Sequence, residues 1–223
     1  MSVNAQHHGD AQDHGAQDRG AQDRGARRRM RAPARRARIL RAALDAFASG
    51  GYSGTGMGEI AELAGVTRAV LYDHFPSKKA LFLAVLHEQN AVFLGHVGAT
   101  ITGEGPPEQR MRATMDAVFS FAERSPQAWQ LLYGNPTHGD PEIDTAWQDV
   151  TAARNHAVGT LLAPDFGAAG IDPTSHRAEI IVEMLVGALS GGAEWRRRNR
   201  SFPRGQLVDA GADLLWTGLG HIL

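Results

Sequence analysis

Arg68, Ala69, Tyr72 and Asp73 are the residues of this sequence best placed to act on another molecule. They fall on one face of a short helical stretch that follows Thr67, a residue well placed to cap it. Near the N-terminal end of such a helix is where major-groove readers meet the edges of DNA bases. The surrounding charge suits a polyanionic partner. Residues 26–79 hold nine arginines and two lysines against four carboxylates, although the whole 223-residue chain has a formal charge of -1. Near-neutrality therefore conceals a basic block of the kind polyanion binders carry. By charge alone, a solvated basic tail fits equally well.

The elements that must hold this face are written in residues 57–75, MGEIAELAGVTRAVLYDHF. Ile60 and Ala61 fall one turn before Ala64, and Gly65, Val66 and Leu71 follow, which is the spacing of a helix-turn-helix. Ala61 is small where the second helix crosses close to it, and Gly65 stands where the turn favours positive φ. Val66 and Leu71 then lock the two helices together. Upstream, Ile39, Leu40, Ala43, Leu44 and Phe47 make one apolar stripe at helical spacing, ended by Gly50-Gly51.

From Ile39 to Val85 the sequence resembles the N-terminal domain of the TetR family of transcriptional regulators. The resemblance rests on the helix ending in Phe47, on Gly51-Tyr52 and Thr55, on Ile60-Ala61 and Ala64-Gly65-Val66, and on Leu71-Tyr72-Asp73-His74-Phe75 and Ser77-Lys78-Lys79-Ala80-Leu81-Phe82. The stretch from Gly192 to Gly218, with Trp195, Pro203, Leu207 and Leu214-Leu215-Trp216, is similar to the last two helices of many members. The resemblance implies that Thr55, Thr67, Tyr72, His74 and Lys78 contact phosphates of double-stranded DNA. It implies that Arg68 and Ala69 face bases, where Arg68 can take a guanine bidentately. Two departures stand out. Gly56 and Gly58 replace the capping hydroxyl and longer polar side chain common in the family. Asp73 puts a carboxylate beside DNA, either to accept from a cytosine amino group or to pair with a neighbouring arginine.

Beyond Ala80 the spacing is helical, with no useful strand-like alternation. Helices are predicted at 77–100, 107–124, 126–133, 141–162, 173–200 and 203–221, with loops at 101–106 and 163–171. Ser77, Ser125, Asp140 and Asp172 are the expected caps, the last three before a proline at the first helical position. Stripes such as Met111, Met115, Val118, Phe119 and Ala122 read as core, joined by Trp129, Tyr133 and Trp147. Charge breaks that reading twice, at Arg154 on an apolar helix face and at Glu183 amid Ile180-Ile181-Val182 and Met184-Leu185-Val186. Buried charges are costly unless met. These two can pair with each other, meet a symmetry mate or face a ligand. The ligand reading makes Met115, Phe119, Trp129, Trp147, Arg154 and Glu183 the candidate pocket for a small-molecule effector.

Other chemistries find little footing. There is no cysteine, which excludes disulfides, thiol catalysis and zinc ribbons. No histidine pair has the spacing of a helical metal site, and Gly54, Gly56 and Gly58 lack the strand that a dinucleotide loop needs. No metal, cofactor or catalytic residue is expected. With no signal peptide and no apolar run long enough for a membrane, the expected location is the cytoplasm. The expected fold is all-α, in three parts. Residues 1–31, with the AQDHG–AQDRG–AQDRG repeat, form a disordered basic, low-complexity arm; residues 32–80 a helix-turn-helix DNA-binding domain; residues 81–223 a helical ligand-binding and dimerisation domain. The expected function is a homodimeric repressor released from a palindromic operator by a small molecule. The alternative is a helical small-molecule-binding protein or enzyme that keeps a degenerate DNA-binding domain.

Overall fold

A computed structural model describes the backbone of residues 14–134 and 139–219, with side chains from 32 to 134 and from 139 to 216. Every regular element among the described residues is a helix. In chain order these are α1 (His14–Gly54), α2 (Met57–Leu63), α3 (Arg68–His74), α4 (Lys78–Ile101), α5 (Pro107–Arg124), α6 (Pro126–Tyr133), α7 (Pro141–Ala168), α8 (His176–Arg198) and α9 (Arg204–Leu219).

α1 begins earlier than the sequence suggests. Residues 14–31, expected as a mobile arm, are helical backbone continuous with the rest, and Pro33 lies inside the helix rather than at its start. Alanine, glutamine, methionine and arginine are good helix formers, and extending a nucleated helix adds a bond per residue without the cost of a new start. Residues 1–13 of the expected arm lie outside the described residues. At the other end, Gly51 (φ 69°, ψ 173°) breaks the helical backbone where Gly50-Gly51 marks the end of the stripe.

The apolar stripe of α1 is the floor of the first core. Ile39, Leu40, Ala43 and Phe47 are buried with Ile60 and Ala61 of α2, Leu71 of α3, Phe75, and Leu81, Phe82 and Val85 of α4. Each such side chain contributes roughly 1.5–3 kcal/mol on burial. Phe47, Tyr52 and Phe82 meet ring against ring, with centroids 5.2–6.1 Å apart. α4 then leaves this core and supplies Phe93, Val97 and Ile101 to a second one. There they meet Met115, Val118, Phe119 and Phe121 of α5, Trp129 and Leu132 of α6, and Ile143 and Val150 of α7. α1 packs on α6 as well as on α4, so the two cores share walls.

Capping chemistry sets most of the helix starts. Ser77 Oγ accepts from Ala80 N–H at 3.0 Å, and Asp140 Oδ1 accepts from Glu142 and Ile143 N–H at 3.0 and 3.4 Å. Ser125 makes no side-chain cap. Two boundaries differ from expectation. α7 runs through Pro164 to Ala168 because Phe166 is buried with Ile171, Ala178 and Val182, a gain of the same order as proline's cost of about 3 kcal/mol. α8 starts at His176 rather than Pro173. Asp172 Oδ1 accepts from both the N–H and the hydroxyl of Thr174 at 2.8 Å, closing a turn, and Ser175 becomes the cap. Those bonds also hold the Asp172 carboxyl below the usual carboxylate range.

Candidate nucleic-acid interface and interior cavity

α2 and α3 are joined by a tight turn. Gly65 takes φ 61°, a left-handed conformation that glycine alone adopts without steric cost, and Val66 N–H donates to Ala61 O at 2.9 Å. Thr67 Oγ1 accepts from Val70 N–H at 3.3 Å and starts α3. Leu71 is wholly buried against α1 and α2, which turns Thr67, Arg68, Ala69, Tyr72 and Asp73 outward, with His74 half-buried. Among the described residues Asp73 has no ion-pair partner, so the expected arginine pairing is not formed there.

Thr55 and Lys78 lie apart from that exposed row. Thr55 is 3% exposed, and its hydroxyl lies 2.7 Å from Gly51 O and 3.1 Å from Ala46 O, engaged inside the protein rather than offered to a phosphate. Lys78 Nζ donates to Thr55 O at 2.9 Å and lies 4.5 Å from the Tyr52 ring centroid. Together the two side chains fasten the end of α1 to the start of α4.

One departure from the family pattern, Gly58, stands beside Arg68. A Cβ placed on Gly58 would stand 2.8 Å from both Cζ and Nε of Arg68. The Arg68 guanidinium thus lies against the start of α2, in space that a larger residue at 58 would take from it, turning the arginine elsewhere. Gly56, the other departure, caps α2 through its N–H, which donates to the Glu59 carboxylate at 3.4 Å.

In the helical bundle, two chambers open between α4, α5, α7 and α8. The larger, about 160 Å³, is lined almost wholly by apolar groups, including Met111, Met115, Leu162, Phe166, Leu185 and Leu215, with Arg110 and Asp165 paired at its edge. The smaller, about 40 Å³, is lined by Phe93, Val97, Trp129, Tyr133, Arg154 and Asn155. Ile101, Thr114, Val158, Val186 and Leu189 line both, so the chambers adjoin. The lining advances from Phe93 to Ile101 along α4 and from Arg154 to Phe166 along α7. The Arg154 end is therefore the one nearer α1–α3.

Arg154 is 2% exposed. Its guanidinium stacks 4.3 Å from the Tyr133 ring centroid and donates to Leu132 O at 3.4 Å, while its Nε finds no acceptor. Burial lowers the pKa of this guanidinium, against the pull of Tyr133 and Glu183, and pushes the Tyr133 phenol up to about 12. Asn155 donates from Nδ2 to Glu183 Oε1 at 2.7 Å, and its own Oδ1 is unpartnered. Glu183 thus bonds Asn155, not Arg154, and lies outside the cavity.

Of the six candidate pocket residues, Met115, Trp129 and Arg154 line a chamber. Phe119 is core, its ring 3.3 Å from where a Cβ on Gly192 would stand, and Trp147 donates from Nε1 to Leu131 O at 3.1 Å. Arg110, Thr114, Val158, Leu185 and Leu189 line the chambers as well, all of them half-buried. Helical spacing gives Val158, Leu185 and Leu189 an inward face without telling which inward face borders a cavity, and it gives no signal for the polar Arg110 and Thr114.

Residues 39–85 match the model of the bacterial regulatory proteins of the tetR family. The chain is 32% identical over 189 residues to the HTH-type transcriptional activator FasR of Mycolicibacterium smegmatis, covering 84% of each protein. This chain belongs to the TetR family. It is a helix-turn-helix, DNA-binding transcriptional regulator. Over 66 residues, 30% of this chain and 31% of the relative, it is 46% identical to the HTH-type transcriptional regulator RutR of Escherichia coli K12. Its fold is that of FadR from Bacillus subtilis, solved in complex with stearoyl-CoA, with a TM-score of 0.67 at 16% identity over 80% of this chain and 96% of that one.

Proposed function

We propose that this TetR-family member is a cytoplasmic homodimer that binds a near-palindromic operator and leaves it when a long-chain acyl compound occupies the cavity. The observation that carries the reading is the pair of adjoining chambers, almost wholly apolar, ending on a buried cation. Ligand sites are mostly apolar with a few placed polar groups. FasR covers most of the chain, and the FadR fold holds stearoyl-CoA. Residues 32–80 serve as the DNA-binding unit and residues 81–223 as the ligand-binding and dimerisation unit. Arg68 and Ala69 face bases, while Thr67, Tyr72 and His74 approach phosphates. The intact turn at Gly65 favours this over a carrier with a degenerate DNA-binding domain.

Dimerisation falls to α8 and α9. Leu185, Leu189 and Leu215 face the cavity, whereas Ile180, Met184 and Leu214 are exposed at 58%, 70% and 72% and offer an apolar face to a second copy. Half-sites then lie one helical turn apart, ~34–36 Å. A ligand changes DNA affinity only by binding one dimer geometry more tightly than the other. Whether release silences or frees a promoter depends on where the operator lies, and the FasR relative is named an activator. The test is an operator selected from random DNA, titrated with stearoyl-CoA and stearate. Release by an acyl compound supports the proposal; an operator complex indifferent to every acyl compound overturns it.

A further inference from the structure

The small chamber pairs an orphaned donor with an orphaned acceptor. Arg154 Nε and Asn155 Oδ1 are both buried without a hydrogen-bond partner, on adjacent residues that line the same 40 Å³. No carboxylate among the described residues makes a salt bridge to Arg154; Tyr133 and the Leu132 carbonyl meet it, and Glu183 acts on it only through space. A buried cation left so is costly, and an unmade buried hydrogen bond costs more than a made one returns. Trp129, Phe93 and Val97 close the chamber with apolar surface, so whatever completes the arginine must be attached to something that prefers hydrocarbon.

Resting on the acyl-ligand reading above, we infer that the cavity recognises a free fatty acid, its carboxylate against Arg154 and its tail running past Val158 and Leu189 into the larger chamber. A carboxylate supplies the acceptor that Nε lacks and a negative charge in contact with the guanidinium, which Glu183 gives only at a distance. A thioester of a bulky carrier can enter only tail first, which sets a methyl group rather than an acceptor against the unpartnered Nε. The carboxylate end lies deep, towards α1–α3, where about 40 Å³ leaves no room for a nucleotide. Burial lowers the guanidinium's pKa, the mark of a charge short of compensation.

The experiment titrates the full-length protein with stearate, methyl stearate and stearoyl-CoA, each delivered from cyclodextrin, by calorimetry and thermal shift. Stearate is expected to bind on the order of 10- to 100-fold more tightly than its methyl ester, the contribution of a charged hydrogen bond. Arg154→Met should bind acid and ester alike. Equal affinity of the wild-type protein for stearate and methyl stearate overturns the inference even if the variant fails to fold. Binding of stearoyl-CoA with none of stearate also overturns it, while leaving the acyl-ligand reading standing. Binding of none of the three removes that reading as well.

Discussion

Among the described residues two cations lie over tyrosine rings, one in each half. Lys78 sits 4.5 Å from the Tyr52 centroid and Arg154 sits 4.3 Å from that of Tyr133. Their settings otherwise differ. Lys78 is half-buried, donates to the carbonyls of Thr55 and Ser53, and closes the end of α1 onto α4. Arg154 is fully buried and keeps an unpartnered Nε beside a cavity. Among the described residues, the DNA-reading half leaves no buried side-chain polar atom unpartnered and closes its core around Leu71, with a recess of about 590 Å³ at its edge by Tyr52 and Phe82. The bundle leaves Arg154 Nε and Asn155 Oδ1 unpartnered beside the cavity, besides Asn90 Oδ1 and Arg196 Nε away from it. The same side-chain pairing fastens two helices in one place and, on the proposal above, awaits a ligand in the other.

The contrast is broken or sharpened first by truncation. Leu71→Ala, in the closed core, should cost about 2–5 kcal/mol of unfolding free energy, whereas Leu185→Ala, on a cavity wall, should cost no more than about 1. Chemical denaturation of both variants decides it, and equal losses would mean that the two cores are packed alike. Next come the cations. Lys78→Met should destabilise by about 1–2 kcal/mol through lost charged hydrogen bonds and ring contact. Arg154→Met should leave stability unchanged or raise it, because an apolar side chain replaces an uncompensated charge. If Arg154→Met unfolds the protein, the arginine is a structural member and the contrast fails.

The smallest effect concerns Gly58. Gly58→Ala removes a glycine from the first turn of α2 and should add about 0.5–1 kcal/mol of stability. It should also displace the Arg68 guanidinium and weaken operator binding several-fold, roughly 1 kcal/mol. In an Arg68→Ala background the affinity loss should vanish, as a double-mutant cycle would record. An undiminished loss in that background would mean that Gly58 acts on DNA without Arg68.

The helix-turn-helix was legible because each of its residues answers a local demand. Gly65 supplies the positive φ, Ala61 the close crossing, and Thr67 the cap, all visible at fixed spacing in one short segment. Asp140 and Ser77 were legible for the same reason. The α8 start was not, because Asp172 bonds Thr174 and yields the cap to Ser175, a competition between two adjacent oxygens that spacing does not rank. The α7 end was missed because the burial of Phe166 outweighs the local signal of Pro164. For the cavity, the sequence marks Arg154 as a charge on an apolar face. It does not show that Glu183 bonds Asn155 instead, or that Val158 and Leu189 form the wall between chambers. Those facts depend on how α4, α5, α7 and α8 are arranged around one another.

If the cavity holds an acyl chain as proposed, its shared wall is a ruler. Val158, Val186 and Leu189 line both chambers, between the Arg154 end and the apolar far end. A methylene gained or lost against such a wall changes affinity by about 1–3 kcal/mol. Larger or smaller aliphatic side chains at these three positions would therefore shift the preferred tail length in single-carbon steps. None of the three lies in the DNA-reading helices, so drift in what is sensed could proceed without drift in what is read.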